Sequence, residues 1–136
     1  MANPSKRKGD RAELEVQGIL RELLGVPARR ALGAGRKDDV GDIHGVPDTV
    51  IQVADWKDVT RAVREKPLEC EEQRERASTP EWYSPPNSDS STGEIAMYRQ
   101  PNWSPTFAAT FVRLRGGDYR VVLTPEQWAA LWREAV

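Results

Sequence analysis

The stretch Gly41-Asp42-Ile43-His44-Gly45-Val46-Pro47-Asp48-Thr49-Val50-Ile51-Gln52-Val53-Ala54-Asp55-Trp56-Lys57 decides how this chain is read. Residues 49–57 read as the clearest strand, and Pro47-Asp48 just before them has the composition of a turn. A hairpin is therefore expected, with a first arm at about 42–46 and a second at 49–57. Side chains two apart share a strand face. Ile51, Val53, Asp55 and Lys57 should lie on one face, and Val50, Gln52, Ala54 and Trp56 on the other. An acid and a lysine closing an apolar face call for a reason, because burying unpaired charge is costly. Asp42, on the preceding arm, is expected beside Asp55.

Outward from this hairpin the chain alternates in character. Residues 10–24 read as an amphipathic helix with Leu14, Val16, Ile19, Leu20, Leu23 and Leu24 as its apolar stripe and Gly25 as its stop. Between Val26 and the hairpin the helical period vanishes, which suits short strands joined by turns. A charged helix is predicted at 67–77, with Pro67 in its first turn. Residues 78–106 hold half of the prolines and six serines and read as a loop or insertion. Residues 107–115 and 119–123 alternate as a hairpin around Gly116-Gly117-Asp118. Thr124-Pro125-Glu126-Gln127 reads as a capping box opening a last helix, whose apolar face is Trp128, Leu131, Trp132 and Ala135. Trp56, Trp128 and Trp132 are assigned to the core. The expected order is α-β-β-β-α-(loop)-β-β-α, an α/β domain spanning 1–136 with a mixed central sheet flanked by helices.

The length of 136 residues suits one domain that folds without staples. One cysteine, Cys70, and one histidine, His44, exclude a disulfide framework and a Cys/His zinc cage. A Ser-His-Asp relay would have to use His44. No apolar run is long enough to span a membrane and none follows the basic start as a signal peptide would, so a soluble cytoplasmic protein is expected. The net charge of −1 hides a gradient: residues 1–37 carry +5, 38–64 carry −3, 65–100 carry −4 and the remainder +1. A basic end beside an acidic middle suits a polyanion held next to bound cations, and it also suits ordinary surface charge.

Glu13 adds a third carboxylate, at the edge of the helical stripe. Carboxylates brought within about 4 Å repel by a few kcal/mol at an effective dielectric near 20. A divalent cation reverses that sign, and hard oxygen ligands suit magnesium or manganese. Each residue also has a plain structural use. Glu13 fits a capping box begun by Asp10, Asp42 fits a turn after Gly41, and Asp55 with Lys57 fits an exposed ion pair.

The order and spacing of these residues resemble a known family. Lys6-Arg7-Lys8-Gly9-Asp10-Arg11-Ala12-Glu13, Arg30-Ala31-Leu32-Gly33-Ala34-Gly35, Gly41-Asp42-Ile43 and Ile51-Gln52-Val53-Ala54-Asp55-Trp56-Lys57 are together similar to the Holliday junction resolvases, archaeal and phage type, of the PD-(D/E)xK nuclease superfamily. The resemblance covers roughly residues 6–57. The chain departs from the pattern at Gly41, where proline is usual, at Asp55, where glutamate is more common, at Ala34, which aligns with a serine, and in the 78–106 insertion.

The resemblance implies a restriction-endonuclease-like core. It also implies that Asp42 and Asp55 ligate magnesium, with manganese able to substitute, while Glu13 completes the site and Lys57 orients or deprotonates the attacking water. The activity it implies is in-line hydrolysis of a phosphodiester. Gln73 is an auxiliary candidate for holding a phosphate or the water. Lys6, Arg7, Lys8, Arg29, Arg30, Arg36 and Lys37 are the expected phosphate contacts. Trp82, Tyr83 and Trp103 suit stacking on unpaired bases, and also loop packing. The expectation is a homodimeric, magnesium-dependent, structure-selective DNA endonuclease acting on four-way junctions, in a bacterial, archaeal or phage-infected cell. The rival readings are a nuclease of the same fold cutting flaps, ends or duplex, a DNA-binding module that no longer cuts, and a protein-interaction subunit.

Overall fold

Lys6, Arg7 and Lys8, all good helix formers, let the chain's first helix start at Pro4, well before Asp10. In the computed structural model, which describes residues 4–31, 41–78, 82–83, 97–98 and 105–136, α1 spans Pro4–Leu24. Asp10 is therefore interior to the helix, and the capping box expected to start there does not exist. The stop at Gly25 is as expected: it takes φ 66° and its N–H donates to the Arg21 carbonyl at 3.0 Å. The buried stripe is Ala12, Val16 and Leu20, whereas Leu14, Leu23 and Leu24 are 52, 75 and 55 % exposed. The four-residue spacing of the first three selects one face; Leu14 points away from it, and Leu23 and Leu24 lie in the last turn of the helix.

The chain forms an α/β structure with a five-stranded mixed sheet and three helices. β1 (Arg29–Arg30), β2 (Ile43–His44) and β3 (Thr49–Ala54) pair antiparallel, through Arg29↔His44, Arg30↔Ile43 and Ile43↔Ile51. The turn at Pro47-Asp48 is present, with Asp48 at φ 60°. The first hairpin arm is shorter than the expected 42–46, because Gly45, at φ 94°, turns the chain where any Cβ would overlap the Pro27 carbonyl. The second arm ends at Ala54, so Asp55, Trp56 and Lys57 lie beyond the strand. There Asp58 caps the next helix, accepting the Arg61 N–H on its carboxylate at 3.0 Å.

That helix, α2, spans Val59–Ser78 and not 67–77, and carries Pro67 in its interior. The Asp58 cap outweighs the proline, which has no N–H to offer the Val63 carbonyl. α2 is the crossover that parallel pairing requires: it leads towards β6 (Phe107–Arg113), which runs parallel to β3 from Thr49↔Phe107 to Ala54↔Val112. Before β6, β4 (Trp82–Tyr83) and β5 (Met97–Tyr98) form a separate antiparallel pair within the Pro/Ser-rich stretch. Residues 79–81, 84–96 and 99–104, Trp103 among them, lie outside the described residues. β7 (Tyr119–Val122) closes the sheet against β6, in the order β1-β2-β3-β6-β7, after the Gly116-Gly117 turn.

α3 (Pro125–Ala135) is capped by Thr124, whose hydroxyl accepts the Gln127 N–H at 3.2 Å. The other half of the expected box is missing, because the Gln127 side chain turns inward. It accepts the Ala108 N–H at 2.8 Å and donates to Glu71 of α2 at 3.0 Å. α3 thus docks through an amide and not through its apolar face. Trp128, Leu131 and Trp132 are 59, 41 and 54 % exposed, so these two tryptophans do not belong to the core as expected. Trp56 does pack on it, beside Ala54, Ala62 and Val112.

The two faces of β3 are divided as the alternation predicts. Ile51 joins Val16, Leu20, Ala28, Ile43 and Phe111 on the α1 side, with Val53 packed against them. Val50 joins Cys70, Ala77 and Ala108 on the α2 side. No helix among the described residues is long and apolar enough to cross a membrane.

Candidate functional site

Asp42 sits where β2 and β3 part, and it is held on all sides by backbone. Its N–H donates to the Ile51 carbonyl at 2.7 Å, its carbonyl accepts the Ala31 N–H at 2.9 Å, and its carboxylate accepts the Val53 N–H at 2.8 Å. The side chain thus takes the ladder position that a backbone carbonyl would fill. Gly41 makes this possible. It takes φ 82°, a Cβ there would stand 2.9 Å from the Ile51 carbonyl oxygen, and its N–H donates to Gln73 on α2 at 2.9 Å. Proline, with φ near −65° and no N–H, meets none of these requirements. Burial raises the Asp42 pKa above the ordinary carboxylate range, against the lowering effect of the Val53 N–H and of the Lys66 and Arg30 charges.

Glu13 reaches the same place from α1. Its pKa is also raised, first by burial and second by the negative charge of Asp42, while Arg30 opposes the shift. Two carboxylates 29 positions apart are therefore close enough to repel. Arg30 answers that repulsion: its Nε donates to Glu13 at 3.0 Å and its Nη2 lies 2.6 Å from Asp10. Gln17, one turn further along α1, accepts the Arg30 N–H at 3.0 Å and fixes β1 to the helix. Asp10 and Glu13, three apart on one helical face, make a two-carboxylate grip whose spacing is legible in the sequence.

Asp55 points to the α1 side, as the alternation predicts. Its partner there is Arg11, 3.3 Å away, and not Lys57. The plain use of Asp55 and Lys57 as an ion pair is thus absent. The Asp55 side chain is only 9 % exposed, whereas Arg11 is 53 % exposed. Lys57 is exposed beyond the end of β3. Arg11 also lies beside Glu15, which accepts from Arg113 at 3.3 Å and from the Tyr119 hydroxyl at 3.0 Å. Burial, followed by Glu15, pushes the Tyr119 pKa up.

The expected phosphate contacts fare unequally. Lys6, Arg7 and Lys8 are part of α1, with Arg7 and Lys8 exposed. Arg29 is exposed and Arg30 is engaged by the carboxylates described above. Arg36, Lys37 and Ala34 lie outside the described residues. Gln73 spends its carbonyl on Gly41, so it positions the residue before Asp42.

Among the described residues, no three acidic, histidine or cysteine side chains are gathered into a group that could hold a metal ion. Glu13, Asp42 and Asp55 are each engaged by a protein donor: Arg30, the Val53 N–H and Arg11. As a donor set they suit a hard divalent cation in kind, because all are carboxylates and two carry charge that burial disfavours. Gathering them would require the two arginines to release their partners. The chain matches no family model, no curated protein and no solved structure.

Proposed function

We propose that this protein is a magnesium-dependent, structure-selective DNA endonuclease of restriction-endonuclease-like fold, and that its substrate is a four-way junction. The observation that carries this reading is the Glu13–Asp42 pair. Two half-buried carboxylates are brought from a helix and a strand edge to the mouth of the sheet, where burial raises the pKa of both and the charge of Asp42 raises that of Glu13 further. Burying these charges opposes folding despite the bonds from Val53 and Arg30, whereas a bound cation would offset that cost. Asp55, just past the end of β3, supplies the third carboxylate.

In this reading Asp42, Asp55 and Glu13 hold the cation. When bound, magnesium lowers the pKa of its water and stabilises the leaving oxygen; manganese suits the same oxygens. Arg30 and Arg11, relieved of their carboxylates, turn to the phosphates of the substrate, an exchange that costs little because both pairs are partly solvated. Lys57 orients or deprotonates the attacking water. The basic face of α1, at Arg7 and Lys8, continues the phosphate track without reading bases. The reading includes a homodimer, since two symmetric nicks need two sites about a dyad. The uncovered Trp128, Leu131 and Trp132 of α3 form an apolar surface of the kind subunits bury. It also places the protein in the cytoplasm of a bacterial, archaeal or phage-infected cell.

The test is cleavage of labelled four-way junction, flap and linear duplex, with magnesium and with chelator. Paired symmetric nicks in the junction alone are expected. Equal cutting of linear duplex would make it a general nuclease, and binding with no cutting in any metal would leave a DNA-binding module.

A further inference from the structure

The phosphate contacts expected from the sequence all lie on α1, on β1 or after it. On the opposite side of the sheet, α2 carries cations that no motif singles out. Trp56, between Asp55 and Lys57, has a cation on its ring from each of two helical turns. The Arg61 guanidinium stands 5.0 Å and the Lys66 ammonium 5.3 Å from its centroid. The Lys66 side chain is only 19 % exposed, although lysine ordinarily extends into water. Its ion pair is with Glu69, at 3.1 Å on the same helix, and Glu69 is half exposed.

The register of α2 on β3 brings this platform to the candidate site. Ala62 packs with Ala54 and Cys70 packs with Val50, so the turn holding Lys66 lies at the level of Gln52. Gln52 is 4 % exposed and its side-chain Oε1 has no hydrogen-bond partner among the described residues. Seven residues further along α2, Gln73 accepts the N–H of Gly41. Gln73, two turns beyond Lys66 on α2, thus fixes the residue before Asp42. In keeping with this, the Lys66 charge acts on Asp42 more strongly than the Arg30 charge does.

We propose that Lys66 and Arg61, stacked on Trp56, form a second phosphate-binding arm of the site, which receives the nucleic-acid backbone on the α2 side while Arg7, Lys8 and Arg30 receive it on the α1 side. The ring holds both cations within 5.3 Å of its centre. Arg61 is paired to Glu65 at 2.9 Å, but both members are exposed enough for a phosphate to replace the carboxylate at little cost. Lys66 keeps two of its three N–H donors beyond the Glu69 ion pair. The proposal rests on the reading of the protein as a DNA-acting enzyme, and it specifies which face of the sheet the backbone crosses.

The experiment measures binding of a labelled four-way junction and of linear duplex in chelator, across a range of potassium chloride, for the intact chain and for Lys66→Gln, Arg61→Gln and the double variant, with Lys66→Arg as the conservative control. Thermal unfolding checks that each variant is folded. The slope of log affinity against log salt should become shallower by about 0.9 for each phosphate that is no longer neutralised, on both DNAs alike. Lys66→Arg should restore the Lys66 part. In magnesium, Lys66→Gln should cut the junction roughly a hundredfold more slowly, the usual loss when one cation or donor at a phosphate is removed. Folded variants with an unchanged salt slope would overturn the α2 arm, while wild-type cleavage in the same assay would leave the nuclease reading standing. The converse, a shallower slope with no cleavage by any form, would keep the arm and remove the nuclease. A wild type that neither binds nor cuts DNA overturns both.

Discussion

The two faces of β3 are held by different chemistry. On the α1 face the polar edge is closed mainly by ion pairs, Arg30 across Asp10 and Glu13, Arg11 against Asp55, and Arg113 against Glu15, with Gln17 adding an amide bond to the Arg30 N–H. On the α2 face the polar edge is tied by neutral amides, Gln73 to the Gly41 N–H and Gln127 to the Ala108 N–H. Partly solvated ion pairs contribute little to stability and exchange partners easily. A bond from an amide to a buried backbone N–H is costly to remove, because the donor is left without water. The difference implies a division of labour in which the α2 side sets the position of Asp42 and the α1 side can rearrange around it.

The sharpest way to break this comparison is to neutralise the acids that the two sides present. Asp42→Asn and Asp55→Asn hardly change volume, and each should lower junction cleavage by several orders of magnitude, read in a single-turnover gel assay. DNA binding in chelator should persist or tighten, because a negative charge facing the phosphates is gone. Retained cleavage in both would sink the site.

The fixed side is tested next. Gln73→Ala leaves the Gly41 N–H buried without its acceptor and should cost about 1–3 kcal/mol in denaturant unfolding. A change of a few tenths of a kcal/mol would mean that Gln73 is ornamental and the contrast between the faces false.

A pH series separates the two acids near the sheet mouth from the surface pairs. Glu13 and Asp42 both have folded pKa values raised above those of an unfolded chain. Such groups favour the folded state while protonated, and that contribution is lost as the pH rises through the folded pKa. The metal-free protein should therefore carry a penalty at neutral pH that eases as the pH falls towards the ordinary carboxylate range, about 4. Asp42→Asn should raise the melting temperature at neutral pH and flatten this part of the profile. A lower melting temperature in Asp42→Asn at neutral pH would show that the Val53 bond outweighs the burial of charge.

The smallest effect belongs to the movable side. Arg11→Ala removes an exposed partner of Asp55 and should cost under about 1 kcal/mol of stability. A loss several times larger would make Arg11 a structural anchor and erase the difference between the faces.

Much of this arrangement is legible locally. The alternation of residues 49–55 assigns Ile51, Val53 and Asp55 to one face and Val50 and Ala54 to the other, and the packing agrees. Gly25, the Gly116-Gly117 turn and the Thr124 cap each act over a few residues, and each is where the chain implies it. The departures share one cause, a local signal outvoted by another that acts elsewhere. Pro67 signals a helix start, but the Asp58 cap nine residues earlier begins α2 first. The tryptophans of α3 carry core-like composition, yet Gln127 decides which face docks, because an unmet backbone N–H at Ala108 is more demanding than uncovered apolar surface.

Periodicities of two to four residues are enough to give the order of the main elements, though not the β4–β5 pair, along with the α/β class, the division of the β3 faces and the short list of acids worth watching. Which charges meet is a matter of tertiary structure alone. Arg11 and Asp55 are 44 positions apart, Glu13 and Asp42 are 29 apart, and Gln73 reaches Gly41 across 32. No local pattern encodes such distances. They follow from the sheet register and from the face on which each helix lands, and so does the placing of Lys66 beside Trp56 on the side of the sheet opposite Glu13.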